Sequence, residues 1–448
     1  MLTPEAARDR AHDIVSRARA AGADAADAVL GASASIEVSV RLGALEDVGR
    51  SEEEELGLRV FVGRRSASVS SSDLSIAAMD VLVERAVAMA REAPEDQYSG
   101  LAPEDRLMTG AIPDLDLSDG GDAHPASLKE VSLAAEDAAR AVPGVTNSEG
   151  GGASASQVAW ALATSHGFSG SYGTTSYGLS ASVLAGSGGA MQRDYAYHSA
   201  RHRAQLDSAE DIGRKAGERA VARISPGKLA SGAMPVVFDP RVGASLIGHL
   251  VGAISGASIA RGTSFLLGKL GERIFAEGIH IVDDPLRPRG LRSRPFDGEG
   301  LSVSATDIVQ DGVLQTWLLE SASARQLGLQ PTGHAARGGA GAPGVSTTNT
   351  HLANGQVSRD ALIADIEHGI YITELIGMGV NGVTGDYSRG ASGFRIEDGQ
   401  ITGPVDEFTI AGNLGEMFLN LTPANDLEFR YATNVPTLRI DGMMVAGA

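Results

Sequence analysis

His198 and His202 stand four residues apart in the run His-Ser-Ala-Arg-His. On a helix that spacing would put both imidazoles on one face, as zinc ligands require. The glutamate base that a zinc hydrolase carries beside its first histidine is missing, because Ser199 occupies that place. The surrounding residues read as strand rather than helix, so both are taken as surface or hydrogen-bonding histidines. His280, His334, His351 and His368 occur singly and read as structural. Gly339, Gly341 and Gly344 formally spell a dinucleotide fingerprint, but Pro343 interrupts it and no helix opens after it, so a loop is expected. Gly268-Lys269 ends like a phosphate loop, yet Leu270 stands where a magnesium-binding hydroxyl belongs. No G-x-S-x-G elbow is present. The acidic run Glu52–Glu55 reads as a solvated hairpin turn, not a ligand cluster.

The elements that must position such residues are legible in part. Thr3 and Pro4 open a helix that runs to about Ala21, before Gly22. Ile36, Val38, Val40 and Leu42 alternate with polar residues as a half-buried strand, and Leu58 to Val62 is its return partner. A second helix is expected from about Asp73 to Glu92, then loop from Pro94 to Pro125. Ser127 and Glu130 suggest a capping box for a third helix, which stops before Pro143-Gly144. Val145 to about Arg203 reads as antiparallel strands, and Asp207 or Ser208 caps a fourth helix. A domain boundary is placed near Ser225, giving an N-terminal domain over 1–225 and a C-terminal one over 226–448. The second is β-rich: Asp311-Gly312 and Asp398-Gly399 each lie between alternating runs, a hairpin signature. A further helix is expected from Ser358 to His368. The fold class is therefore α+β, N-terminal helices with an antiparallel sheet followed by a sandwich- or barrel-like β domain.

Composition narrows the function classes. The chain has 448 residues and a net charge of −19, which repels polyanions over most of its surface and argues against nucleic-acid binding. Cysteine is absent, removing disulfides and thiolate ligands and fitting a reducing compartment. The first residues, MLTPEAARDRAHD, lack an apolar signal core. No Asp, Glu, Lys or Arg lies between Arg241 and Arg261, but Ser245, His249, Ser255 and Ser258 make a buried core helix the preferred reading over a membrane span. Within it Ala244, Gly248, Gly252 and Gly256 recur every four residues. That smooth stripe lets another backbone approach, either inside the domain or across a subunit interface.

Five segments in one order carry a resemblance: GLRVFVGRRSASVSSSDLS, FDPRVGASLIGHLVGAISGASIARGTSFL, ITELIGMGVNGVTGDYSRGASGFRIEDGQI, TIAGNLGEMF and PTLRIDGMMVAG. The chain resembles the TldD/PmbA family, and within it the PmbA branch, also called TldE. In the TldD branch the resemblance implies a helix bearing H-E-x-x-x-H, whose histidines bind zinc and whose glutamate is the base, with a cysteine completing the site. Aligned on Arg261 to Ser264, those positions are Ile247, Gly248 and Gly252 here, and His249 falls at a non-ligand position. The resemblance thus implies a chain with no metal and no catalytic residue of its own, in cytosolic association with a zinc-bearing TldD-type subunit that degrades unfolded peptides and trims leader peptides. A homodimer is a further possibility for the assembly. Gly248, Gly252 and Gly256, with Arg261, Thr263 and Ser264 after them, are candidates for contacting peptide or partner. Asp386, Tyr387 and Arg389 in G-D-Y-S-R-G are further candidates, with an Asp386–Arg389 pair holding a turn as the preferred reading. Two rivals remain: a stand-alone homodimeric metallopeptidase using His198 and His202, and a regulatory protein-binding factor of the gyrase-modulator type.

Overall fold

Helix α1 (Pro4–Ala20) begins where expected: the Thr3 hydroxyl accepts the Ala6 N–H at 3.2 Å, and Pro4 fills a first-turn position that needs no donor. In the computed structural model, which describes residues 1–121 and 123–447, it lies on a six-stranded antiparallel sheet. The strands are β1 (Ala25–Arg41), β2 (Ala44–Val62), β3 (Arg65–Ser71), β4 (Val145–Thr164), β5 (Ser169–Ala185) and β6 (Gln192–Ala200), in the order β3-β2-β1-β4-β5-β6. Alternation along β5, buried at every second residue from Thr175 to Ala185, gives that sheet a helix-covered face. Helix α2 (Ile76–Glu92) joins α1 over β1 and β2, while α3 (Pro125–Arg140) and α4 (Ala209–Ala222) cover β4 to β6.

Two local expectations are corrected. The β1–β2 turn is Leu42-Gly43, with φ of 51° and 78°, a primed turn whose twist matches the strands. Glu52–Glu55 instead lie inside β2 opposite Gly31–Ala34. Strand β3 reaches only to Leu56, so these glutamates decorate an open edge, where charge discourages pairing with another chain. Helix α3 starts at Pro125, whose ring presets φ; Ser127 and Glu130 sit inside the helix and form no capping box.

The C-terminal half opens with β7 (Gly232–Phe238), α5 (Pro240–Ala253) and α6 (Gly256–Ala260). A small sheet follows, ordered β10-β9-β8-β13-β18, from β8 (Ile281–Asp283), β9 (Thr306–Gln310), β10 (Val313–Leu314), β13 (Thr350–Leu352) and β18 (Thr433–Asn434). Between its members lie α7 (Ser321–Leu327), the two-residue strands β11 (Ala335–Ala336) and β12 (Gly344–Val345), and α8 (Arg359–Ile363). Helix α8 is shorter than the sequence suggests, because His368 already belongs to β14 (His368–Val380). With β15 (Asp386–Glu397), β16 (Gln400–Asn413) and β19 (Leu438–Ala446), β14 and β7 close a ring: β16-β15-β14-β7-β19 returns to β16 through Thr409–Ala411 paired with Met444–Ala446. The short β17 (Leu421–Pro423) adds to β19. The α+β class with a barrel-like C-terminal sheet is therefore what the chain adopts. Asp311-Gly312 and Asp398-Gly399 form the predicted tight turns, each with two positive φ angles.

A buried charge cluster ties the halves together. Arg59 of β2 and Arg337 both pair with Asp27 of β1 at 2.5 Å, and all three side chains are excluded from solvent. The loop from Gly339 to Gly344 lies against β2; a Cβ at Gly57 would fall 2.5 Å from Ala340 N. That close approach requires the glycine at 57, and Gly339 takes a φ of 60° in the loop, so the run is a packed loop and opens no helix. No helix among the described residues is long and apolar enough to cross a membrane.

Candidate functional site

Asp239 caps α5 by accepting the Arg241 N–H, Pro240 follows at the first position, and Gly243, Leu246, Ile247, Leu250 and Ala253 form the buried face. The segment does not continue as one helix to Arg261. At Ile254 to Gly256 the backbone turns aside to pair with Leu318: Gly256 donates to Leu318 O at 2.7 Å and Leu318 to Ile254 O at 3.0 Å. The Ser255 and Ser258 hydroxyls each donate to Gly252 O at 3.0 Å, satisfying a carbonyl left open by the break.

The break splits the glycine stripe. Gly256 lies on α6, and a Cβ there would meet Ser323 Cβ of α7 at 2.6 Å. Gly248 and Gly252 remain on the exposed face of α5, with no atom within 4 Å of where a Cβ would be. Ala244 packs against the core and Gly256 against α7, while Gly248 and Gly252 present a bare backbone ridge to solvent. Ile247 points the other way and is 1% exposed in the core. His249, half-buried, sets its ring edge-on to Tyr387 at 5.8 Å between centroids. Burial, then the nearby Arg389 charge, holds its imidazole below the usual histidine range.

Asp386 and Arg389 do not pair. They are three residues apart on a strand and so point to opposite faces. Asp386 is exposed, accepting from Thr384 Oγ1 at 2.6 Å and Asn413 Nδ2 at 3.4 Å. Arg389 is buried beside Tyr387, donating from Nε to Ile376 O at 3.3 Å. The Tyr387 hydroxyl and His249 Nε2 are buried without a partner among the described residues, and burial raises the phenol to about 12. Past α6, Arg261 and Thr263 are exposed, whereas Ser264 is buried and accepts the Leu266 N–H in a turn. Beside this surface the β14–β15 tip is tied in by Phe265 donating to Gly382 O, and it leaves Ile376, Met378 and Val383 in solvent, Met378 at 86%. Sequence reading missed this apolar tip, although Leu-Ile-Gly-Met-Gly-Val is a conspicuously uncharged run beside a turn.

His198 and His202 do not converge. His198 Nδ1 accepts the Asp207 N–H at 3.0 Å, while His202 Nε2 lies 3.1 Å from Asp116. Among the described residues no group of three or more His, Asp or Glu side chains is placed to hold a metal ion.

Comparison with known proteins places this geometry. Residues 26–90, 119–224 and 231–447 match, in turn, domain 1, the central domain and the C-terminal domain of the PmbA/TldA metallopeptidases. The Escherichia coli O157:H7 metalloprotease PmbA is 39% identical over 95% of this chain and 92% of its own length. The Haemophilus influenzae PmbA homologue is 38% identical over 97% and 94%. A TldD homologue of that organism is 30% identical over only 48% of this chain and 45% of its own. Among solved structures, a Bacteroides thetaiotaomicron protein described as a modulator of DNA gyrase superposes with a TM-score of 0.92 at 28% identity, covering 100% of both chains. TldE from Thermococcus kodakarensis, at 23% identity, shares the fold with a TM-score of 0.85 over 97% of this chain and 99% of that one. With three family domains in order and full-length relatives of that name, the chain belongs to the PmbA/TldD metallopeptidase family.

Proposed function

We propose that this chain is the non-catalytic subunit of a two-subunit, zinc-dependent cytosolic peptidase, paired with a TldD-type chain that supplies the metal, the base and the attacking water. One observation carries the reading. At the three positions where the resemblance implies zinc ligands and base, this chain has Ile247 turned into the core and Gly248 and Gly252 bare on the surface. Zinc needs about three protein donors, and neither isoleucine nor glycine has a side-chain lone pair, so these residues do not fit the metal and no catalytic step is assigned to them. The bare ridge suits a closely approaching backbone, and the uncovered tip residues Ile376, Met378 and Val383 suit burial against a protein. In this reading the chain forms one wall of a peptide-holding chamber.

The test is co-purification with a TldD-type chain followed by peptide cleavage assays. Cleavage by the pair and none by this chain alone is expected. No complex, and partner activity indifferent to this chain, would remove the proposal. The described kinship with a modulator of DNA gyrase favours a second reading, regulation of a protein target. Binding to gyrase without any peptidase partner would select it.

A further inference from the structure

The net charge of −19 is unevenly distributed. Between Arg287 and Arg294 the run Arg-Pro-Arg-Gly-Leu-Arg-Ser-Arg puts four arginines in eight residues. This loop lies where the end of β6 meets the small sheet, and it separates two adjoining clefts. One, of about 250 Å³, is lined by Arg201, Arg287, Arg289 and Arg430 together with Phe429 and Tyr431. The other, of about 370 Å³, is lined by Arg201, Arg292 and Arg294 together with Trp160 and Tyr172. Arg201 and Leu291 line both, and among the described residues neither lining includes an aspartate or glutamate.

Some structural arginines of this protein are neutralised, as Arg59 and Arg337 are by Asp27, and others, such as Arg325 and Arg389, are held by backbone carbonyls. In the clefts, Arg289 pairs with Asp116 and Arg430 with Asp207, both at 2.5 Å. Arg201, Arg287, Arg292 and Arg294 form no ion pair among the described residues. Arg201 is held by carbonyl oxygens alone, those of Thr175, Gly290 and Leu291. Arg294 donates to Ala335 O at 2.7 Å, and its Nε is buried without a partner among the described residues. Arg287 lies over the Phe429 ring at 3.5 Å, and Arg292 is exposed. Two further acids lie close by: Asp284 accepts the Leu286 N–H inside the loop's own turn, and the buried Asp297, whose carboxyl feels the Arg294 charge, accepts the Glu299, Leu301 and Ala335 N–H groups. Six guanidinium groups gathered around so few carboxylates, between low-dielectric walls, focus a positive potential, and their forked donors match carboxylates.

We propose that the two clefts form one binding site for an acidic peptide segment, with Arg287 and Arg292 holding its side-chain carboxylates and the flanking aromatics seating its apolar parts. Two small clefts joined past Leu291 suit a short extended strand, whose alternate side chains share a face. A long nucleic acid would run off the clefts onto an acidic surface. The site needs this chain alone, so it stands or falls independently of any zinc-bearing partner.

The test is fluorescence anisotropy of a labelled hexaglutamate peptide titrated with the purified full chain, beside hexaglutamine and a hexathymidine oligonucleotide. Saturable binding of hexaglutamate that weakens with salt is expected, with at least about tenfold loss in Arg287→Ala/Arg292→Ala. Arg292→Glu, at an exposed position, repeats the test without risk to the fold, and unchanged melting of each variant verifies that. Hexaglutamine binding equally well, undiminished affinity in both variants, or tighter binding of the oligonucleotide would each overturn the proposal.

Discussion

Replacing Gly248 by leucine separates a bare interface ridge from an internally packed one. Gly248 sits mid-way along α5, exposed, with nothing within 4 Å of the Cβ it lacks. Within the isolated chain the substitution meets no steric cost, and it removes glycine's helix penalty, about 0.8 kcal/mol relative to good helix formers. At about 2.1 cal/mol/K per residue, 448 residues unfolding as a unit would shift Tm by only about +1 °C. Gly256→Leu is the internal control. Its Cβ would lie 2.6 Å from Ser323 and 2.9 Å from Leu319, an overpacking that costs about 1–3 kcal/mol and lowers Tm by a degree or more. The assay is thermal unfolding of each variant, paired with analytical gel filtration of its mixture with a TldD-type chain. Gly248→Leu should keep or raise Tm while losing complex. A clear fall in its Tm would mean that the ridge is packed inside the monomer. Full complex formation would mean that the interface lies elsewhere.

Other outcomes follow from the buried charges. Asp27→Asn leaves Arg59 and Arg337 buried without their ion-pair partner and should cost about 3–5 kcal/mol in urea unfolding; a loss under about 1 kcal/mol would deny the cluster its role in joining the halves. Asp27 in the wild type is held below the usual carboxylate range by its two arginines, against the opposing effect of burial, so its stabilisation is present above the unfolded pKa and disappears as pH falls through the folded one. Glu299 behaves oppositely: burial and the neighbouring Asp297 raise it to about 7, so stability should decline as pH rises from about 4.5 to 7, and Glu299→Gln should flatten that decline. An unaltered pH profile in the variant would contradict this. Tyr387→Phe removes a buried hydroxyl that has no partner among the described residues and should be neutral or stabilising; a loss above about 1 kcal/mol would reveal a bond to that oxygen.

What was legible in the sequence was local. Thr3 and Ser208 cap the helices they were expected to cap, and Asp311-Gly312 and Asp398-Gly399 form tight turns because those side chains tolerate the φ required. What was not legible depends on distant partners. Nothing between Gly252 and Gly256 breaks a helix; the break arises because Leu318 offers a backbone to pair with. The glutamate run resembles a turn until Gly31–Ala34 pairs across from it. The Asp386–Arg389 reading failed for a reason visible in advance, since residues three apart on a strand face opposite ways. The arginine run at 287–294 was in plain view, but a whole-chain charge averages out a local excess.

Metal content tests the central claim most directly. Zinc would be measured per chain on the untagged protein purified without chelator, alone and in complex with a TldD-type chain. Close to no zinc on the isolated chain, and about one per pair in the complex, is the predicted result. About one zinc per isolated chain that survives dialysis would contradict it and make this chain a metallopeptidase in its own right.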